Sequence, residues 1–184
     1  MKKKIFAVTA AVALGTLLFS LLYAKTGNGA ALSLAITFGT TFYHFAARLL
    51  AGLVINARLG NVADYTKPWF AEKAFEKKLY ELLNVKKLKK HAHAFEADFF
   101  DMKKRTVTEI IMAGCQAEIV HEVIMLISFV PLLFTVRFGS FGVFLVTSLL
   151  AAAFDGIFVV IQRYNRPRLI KLAERQARDS CSAV

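Results

Sequence analysis

Three ionisable side chains interrupt a long apolar run that extends from residue 110 to residue 134: Glu118, His121 and Glu122. An apolar run of that length is typical of a helix that crosses a membrane. An ionisable group at membrane depth costs roughly 2.5 to 3.5 kcal/mol even on a lenient insertion scale, so it persists where it faces protein or a water-filled cavity. This run is therefore the first candidate for a functional site.

Further ionisable residues lie in two other apolar runs. His44 and Arg48 are four residues apart and share one helix face. With a rise of 1.5 Å per residue, Arg48, Glu118 and Asp155 all lie roughly 10 to 15 Å from the cytoplasmic ends of their runs, and the two histidines lie slightly deeper. We expect these groups to line one polar cavity. The alternatives are an ion-pair cluster that fixes helix packing and, for Arg48, a side chain that snorkels to the interface.

A basic and polar motif follows the last apolar run. Pro167 disfavours helical geometry at the preceding residue and removes a backbone donor, so we predict that the helix breaks or kinks there. Arginine presents a planar fork that suits phosphate and carboxylate groups, although arginines after a span also act as a topogenic flank. The motif supplies the candidate substrate-binding residues Gln162, Arg163, Asn165, Arg166 and Arg168.

The elements that must position these residues are apolar helices. The chain has 184 residues, of which 57% are hydrophobic, and it contains four long apolar runs, each near or above the ~20 residues that cross a bilayer. Three lysines precede the first run, as in a secretory signal, but no clean cleavage site follows it, so we expect it to be retained. We predict an all-α integral membrane protein, a single membrane domain over residues 1–184. Its four transmembrane helices are expected at about 5–24, 30–55, 110–134 and 138–161.

The distribution of the basic residues predicts the orientation. The net charge is +11, and 21 of the 24 Lys and Arg residues fall on one side if the chain crosses four times. This is the positive-inside pattern, so we expect a multi-pass protein of the cell membrane with both termini in the cytoplasm. The same charge is expected to attract anionic lipids of the inner leaflet, and nothing in its distribution favours a nucleic acid partner.

The cytoplasmic segment 56–105 is expected to contain an amphipathic helix. Thr66 and Pro68 are typical of a helix start, and apolar residues from Trp69 to Leu88 then recur near helical spacing with lysines between them. Such a helix lies in the membrane interface. The alternative is a helix that packs against the spans.

Metal binding has little support in the sequence. His91 and His93 form a His-x-His pair, but no second pair of ligands stands at a suitable spacing. Cys115 and Cys181 form neither a disulfide framework nor a zinc motif. We therefore predict no metal site.

Three motifs resemble the glycosyl-4,4'-diaponeurosporenoate acyltransferase family, small bacterial membrane proteins of staphyloxanthin-type carotenoid biosynthesis. The matching pieces span about residues 69 to 170, and this chain has Gln116 and Glu122 where the family has Arg and Trp. The three motifs are Phe75-Glu76-Lys77 with Val85-Lys86-Lys87-x-Lys89, Ala117-Glu118-Ile119-x-His121, and Gln162-Arg163-Tyr164-Asn165-Arg166-Pro167-Arg168-Leu169.

The resemblance implies an enzyme that moves a fatty acyl group from a thioester donor, acyl-coenzyme A or acyl-carrier protein, to a hydroxyl of a membrane lipid or glycolipid acceptor. No further cofactor is expected. In this reaction His121 would be the general base, with Glu118 or Asp155 orienting its ring. Arg48 or Arg163 would stabilise the oxyanion, and His44 would complete the catalytic set.

Two other functions remain open from the residues alone. His44 and His121, at similar depth on neighbouring spans, are also compatible with a bis-His haem in an electron carrier. A non-catalytic lipid-binding accessory subunit is the second alternative, in which the polar residues only pack.

Overall fold

The computed structural model describes residues 2–91, 100–139 and 141–182. All the regular elements in these ranges are helical, which confirms the all-α prediction. Besides the short 3-10 helices Pro68–Phe70 and Val130–Phe134, the elements are α1 (Lys2–Thr26), α2 (Gly29–Leu59), α3 (Glu76–Leu82), α4 (Val85–His91), α5 (Val107–Ile127), α6 (Thr135–Phe138) and α7 (Phe141–Ser182).

Among the described residues, four helical stretches are long and apolar enough to cross a membrane. They are Lys3–Thr26, Gly29–Leu59, Val107–Phe138 and Phe141–Cys181. This confirms the prediction of an integral membrane protein with four spans. Two compact units can be distinguished, one formed by Met1–Gly52 with Ile124–Ala152 and the other by Leu53–Val123 with Ala153–Val184.

In the first unit, α1 and α2 form a tight hairpin. Gly27 adopts a φ of +65° in the turn, which glycine reaches without steric cost. The Asn28 side chain then caps α2 by accepting a hydrogen bond from the Ala30 N–H at 2.8 Å. Gly15 allows the two helices to approach closely, because a Cβ atom there would lie 2.5 Å from the Phe38 ring.

The second unit contains two apolar clusters. In the first, Val107, Ile111 and Cys115 of α5 pack with Phe70. Residues 169–173 of α7 lie against the same cluster. The second joins α4 to α7 through Val85, Ile161 and Tyr164. Burial of these apolar side chains holds the segment after α2 against the long helices α5 and α7.

The prediction of one continuous amphipathic helix is wrong. The segment instead forms the 3-10 helix Pro68–Phe70 and the two short helices α3 and α4. Asn84, between α3 and α4, has a φ of +46°, a left-handed conformation that Asn tolerates better than most residues but that ends a regular helix. Thr66 does not cap a helix, since its hydroxyl donates a hydrogen bond to Asp64.

Two helix ends differ from what the local sequence suggests. Pro167 does not end α7, which continues to Ser182. The residues after it, 169–173, pack on the core of the second unit, and this burial opposes the local effect of proline. Conversely, α5 ends at Ile127, and a 3-10 helix that begins with Val130 and Pro131 replaces the end of the predicted helix 110–134.

Candidate active site

His121 and Asp155 form a pair in the second unit. The Nδ1 atom of His121 lies 2.9 Å from Oδ1 of Asp155. The imidazole also stacks on Phe158, with 4.7 Å between ring centres and 10° between ring planes. Asp155 is 1% exposed, whereas about a quarter of the His121 side chain remains accessible. A buried carboxylate that fixes an accessible imidazole is the arrangement required of a general base and its orienting partner.

Glu118 has different partners from those the sequence predicts. Its carboxylate is completely buried and pairs with Arg163, at 2.8 Å between Oε1 and Nη2, and with Arg166. Both arginines come from α7. Because two guanidinium groups hold this carboxylate, the residue that orients the His121 ring is Asp155.

Arg163 joins α7 to the segment that follows α2. Its Nη1 donates to Oε1 of Glu76 at 2.7 Å, and its Nη2 donates to the Trp69 carbonyl at 3.3 Å. A further carboxylate oxygen, Oε1 of Glu122, lies 3.5 Å from Nη2. Glu122 also accepts a hydrogen bond from the Trp69 indole N–H at 3.0 Å. The guanidinium is thus surrounded by three carboxylates, those of Glu76, Glu118 and Glu122.

Arg166 is likewise engaged inside the protein. It is 5% exposed, and its Nη1 donates to the Phe70 carbonyl at 2.7 Å. The guanidinium carbon lies 4.8 Å from the centre of the Phe70 ring, within the range of a cation–π interaction. These contacts favour a role in positioning the 3-10 helix Pro68–Phe70 over direct contact with a substrate phosphate.

Glu76 and Tyr80 extend the charged cluster to α3. Burial raises the pKa of the Glu76 carboxyl, but hydrogen bonds from Tyr80 and Arg163 and the positive charge of Arg163 outweigh it, so that the pKa lies below its ordinary value. Burial, and then the hydrogen bond to Glu76, raises the pKa of Tyr80. Glu76 therefore remains ionised and Tyr80 remains a hydrogen-bond donor at neutral pH.

The other residues predicted to bind substrate lie on α7 near this cluster. Gln162 packs close to α5, since a Cβ atom at Gly114 would lie 3.2 Å from its Oε1 atom. Asn165 accepts a hydrogen bond from Nζ of Lys89 at 2.9 Å. Arg168 donates to the Tyr164 carbonyl, and its guanidinium lies 3.6 Å from the centre of the Tyr164 ring.

His44 and Arg48 lie in the first unit. His44 is 8% exposed and meets Tyr43 edge to face, with 5.6 Å between ring centres. Arg48 donates to the carbonyl groups of His44, at 3.0 Å, and Ala151, at 3.3 Å. Their participation in a common cavity with His121 stays a prediction.

Several residues of the cluster were not identified from the sequence. Glu76 carried a signal, because it lies in one of the three motifs quoted above. Phe158 follows Asp155 by three residues, a spacing that places both on one helix face, but an aromatic residue in a span has many possible roles. Gln116 accepts from the Asn61 backbone N–H at 2.7 Å and donates to Asn56 at 3.1 Å, which fixes the turn after α2.

Within residues 2–91, 100–139 and 141–182, the structure contains no group of three or more residues suited to hold a metal ion. His93 lies outside these ranges, and the side chain of His91 is not described. The metal prediction for this pair is therefore not tested.

The described part of the structure contains four helices that are long enough to cross a membrane, a His–Asp pair and a buried arginine–carboxylate cluster. These features are those of a multi-pass membrane enzyme. The family model of glycosyl-4,4'-diaponeurosporenoate acyltransferase matches residues 66–175, more than half of the chain. The chain therefore belongs to this acyltransferase family of carotenoid biosynthesis. The comparison with curated proteins gave no match, and neither did the comparison with solved structures. Family membership favours the enzyme over the two alternatives, the haem protein and the accessory subunit.

Proposed function

We propose that this acyltransferase moves a fatty acyl group from a thioester donor to a hydroxyl group of a glycosylated or otherwise amphiphilic lipid, with His121 as general base. The observation that carries the proposal is the 2.9 Å contact between His121 Nδ1 and Asp155 Oδ1. With Nδ1 protonated and bound to Asp155, the Nε2 atom is left as the basic nitrogen. The partial exposure of His121 supports access of the acceptor.

His121 and Asp155 act together in the proposed reaction. Nε2 of His121 takes the proton of the acceptor hydroxyl as its oxygen attacks the thioester carbonyl carbon, and a C–O bond forms. The tetrahedral intermediate collapses with cleavage of the C–S bond, and the imidazolium returns its proton to the leaving thiolate. Asp155 stabilises the imidazolium during the first step. The products are the ester and the free thiol, and no covalent acyl-enzyme is required.

The buried ion pairs of Glu118, Arg163 and Arg166 serve in this proposal to position the reacting helices. They lie between α5 and α7, the two helices that carry His121 and Asp155. Separation of a buried ion pair leaves each charge without compensation in a region of low dielectric, which costs several kcal/mol. The paired side chains therefore stay in place. The cluster thus keeps the imidazole within reach of its carboxylate.

The donor in the proposal is acyl-coenzyme A or an acyl-carrier protein, and no cofactor takes part. The protein would lie in the cell membrane with both termini in the cytoplasm, where its basic flanks face anionic lipids. Five lysines of α3 and α4 are exposed, which supports attraction of a phosphorylated donor or of the lipid surface. They are Lys77, Lys78, Lys86, Lys87 and Lys89.

The test of this proposal is turnover in liposomes with acyl-coenzyme A as donor and a glycolipid as acceptor. His121→Gln should lower turnover per folded molecule by roughly 10²-fold or more, the usual contribution of a positioned proton-transfer group. Leu126→Ala is a matched control on the same helix, because Leu126 is 74% exposed. A folded and fully active His121→Gln protein would exclude His121 as the base.

A further inference from the structure

The first unit contains an apolar cavity of about 310 Å³. One side is formed by α2, where Ala35, Gly39 and Tyr43 lie at intervals of four residues and therefore on one helix face. Phe134, Phe138 and Phe144 line the cavity from other elements. It is thus a concave, largely apolar site with both small and large side chains on the α2 side and aromatic rings from the other elements.

The polar end of the one tyrosine in this lining is occupied. The Tyr43 hydroxyl donates a hydrogen bond to the Ile127 carbonyl at 2.7 Å, so that the ring rather than the hydroxyl is available to a ligand. Ser20 and Thr40 add the only other side-chain hydroxyls among the residues that line the cavity. Among the described residues, no charged group belongs to the lining, so an ionised head group would have no charged partner there.

The cavity coincides with the interruption of the third span. Pro131 and Phe134 belong to the 3-10 helix Val130–Phe134 and both line the cavity. The i→i+3 hydrogen bonds of this stretch, such as that from the Leu132 N–H to the Phe129 carbonyl at 3.1 Å, interrupt the α-helical pattern of the span. A 3-10 stretch in the course of a longer helical segment also frequently marks a functional position.

We propose that this cavity binds the fatty acyl chain that the enzyme transfers and thereby sets the preferred chain length. This inference rests on the proposed acyl transfer. At about 30 Å³ per group, the volume of a water molecule in the liquid and close to that of a methylene, the cavity holds roughly ten methylene groups. Its position among membrane-crossing helices makes it accessible to a chain that remains in the apolar phase.

Substitutions that fill the cavity test this proposal. Ala35→Phe adds a ring to the side formed by α2. Gly39→Val is a smaller change, since a Cβ atom at Gly39 meets only Thr16 Cγ2, at 3.5 Å, an ordinary contact. Leu34→Phe is the matched control, because Leu34 is 42% exposed and does not line the cavity. The melting temperature of each variant establishes that it is folded, and Gly39→Val keeps the test decisive if Ala35→Phe does not fold.

The first measurement is competition in liposomes among saturated acyl-coenzyme A thioesters of short, medium and long chain. Both cavity variants should shift the product ratio toward shorter chains by roughly tenfold, the loss expected when about two methylene groups no longer reach an apolar site. Leu34→Phe should keep the parent's ratio. Transfer by the parent with the same ratio in folded cavity variants would overturn this inference and leave the proposed function intact. Absence of transfer by the parent would instead overturn the proposed function.

The second measurement uses a fatty acid with a mid-chain diazirine, cross-linked by light and located by mass spectrometry. We expect α2 peptides of the parent to be labelled and the labelling to fall several-fold in the cavity variants. Excess palmitoyl-coenzyme A should compete with this labelling. If only phospholipid competes, the occupant is a tail of the bulk membrane and the proposal is wrong.

Discussion

At the candidate site, one histidine pairs with one of several nearby carboxylates. Glu118 is three residues from His121 on the same helix, so the sequence alone offers it as the partner as readily as Asp155. In the structure, Arg163 and Arg166 take both oxygens of Glu118, and Asp155 is left to hold the imidazole. The choice depends on contacts between residues about 35 to 50 positions apart, which local spacing does not encode.

Asp155→Asn should lower turnover per folded molecule by about 10²-fold. An amide still forms a hydrogen bond to the ring, but it lacks the charge that stabilises the imidazolium and does not select the tautomer. The pH dependence of turnover should change together with its magnitude, which loss of packing alone would not cause. Leu150→Ala, at an exposed position of α7, serves as control. Parental turnover and pH profile in Asp155→Asn would show that Asp155 only stabilises the helix pair.

Glu118→Gln should lower the stability of the protein rather than its turnover. It removes the negative charge that compensates Arg163 and Arg166, and breaking a buried pair in this way costs about 3 to 5 kcal/mol of stability. The melting temperature in detergent should fall, whereas the molecules that remain folded should turn over close to the parental rate. In the double variant with Arg166→Gln, the destabilisation should be less than the sum of the two single changes. A loss of turnover with unchanged stability would assign Glu118 to the reaction itself.

The segment between α2 and α5 shows where periodicity was informative and where it failed. The apolar residues from Trp69 to Leu88 correctly indicated helix, since α3 and α4 form in this segment. They did not mark one packed face, because Leu88 packs toward α7 whereas Trp69 and Leu82 are exposed. The break at Asn84 was not visible, since one residue with positive φ changes the path of the chain without disturbing the apolar pattern. Pro167 does not end α7. Packing of the residues that follow it on the core outweighs the local preference of proline against a helix.

The packing of α3 against α7 should depend on pH through the ion pair of Glu76 with Arg163. The folded pKa of Glu76 lies below the ordinary value, so its contribution to stability is complete above the ordinary pKa of a glutamate and is lost as the pH falls toward the lowered one. Hydrogen exchange should therefore show weaker protection of α3 at a pH below the ordinary pKa of a glutamate than at neutral pH. Glu76→Gln should weaken protection at neutral pH and remove most of this pH dependence. Glu81→Gln is the matched control, because Glu81 is exposed on the same helix. Equal pH dependence in the parent and in Glu76→Gln would refute the role of Glu76.

For the whole molecule, composition was a reliable guide to class because the constraint is physical and strong. A bilayer requires about 20 apolar residues per helix and satisfied backbone groups throughout, so four runs of that length predict four spans before any contact is known. The ends of the helices were less predictable: α2 extends to Leu59 and α7 to Ser182, beyond the apolar runs. The last turns of both helices are largely exposed, so the apolar pattern that marks a span does not mark the end of its helix. The side of the membrane on which each end lies follows from charge alone and stays a prediction.

Cysteine accessibility tests that orientation. In a background with Cys115→Ser and Cys181→Ser, single cysteines at Lys25 and Lys78 occupy exposed positions, on opposite sides if the chain crosses four times with both termini inside. An impermeant thiol reagent should label Lys25→Cys in intact cells and Lys78→Cys only after permeabilisation. The native Cys181, restored alone, should behave like Lys78→Cys, because it is exposed at the far end of α7. Labelling of all three positions from outside would exclude the four-span arrangement, and with it a cytoplasmic thioester donor at the site of Arg163 and His121.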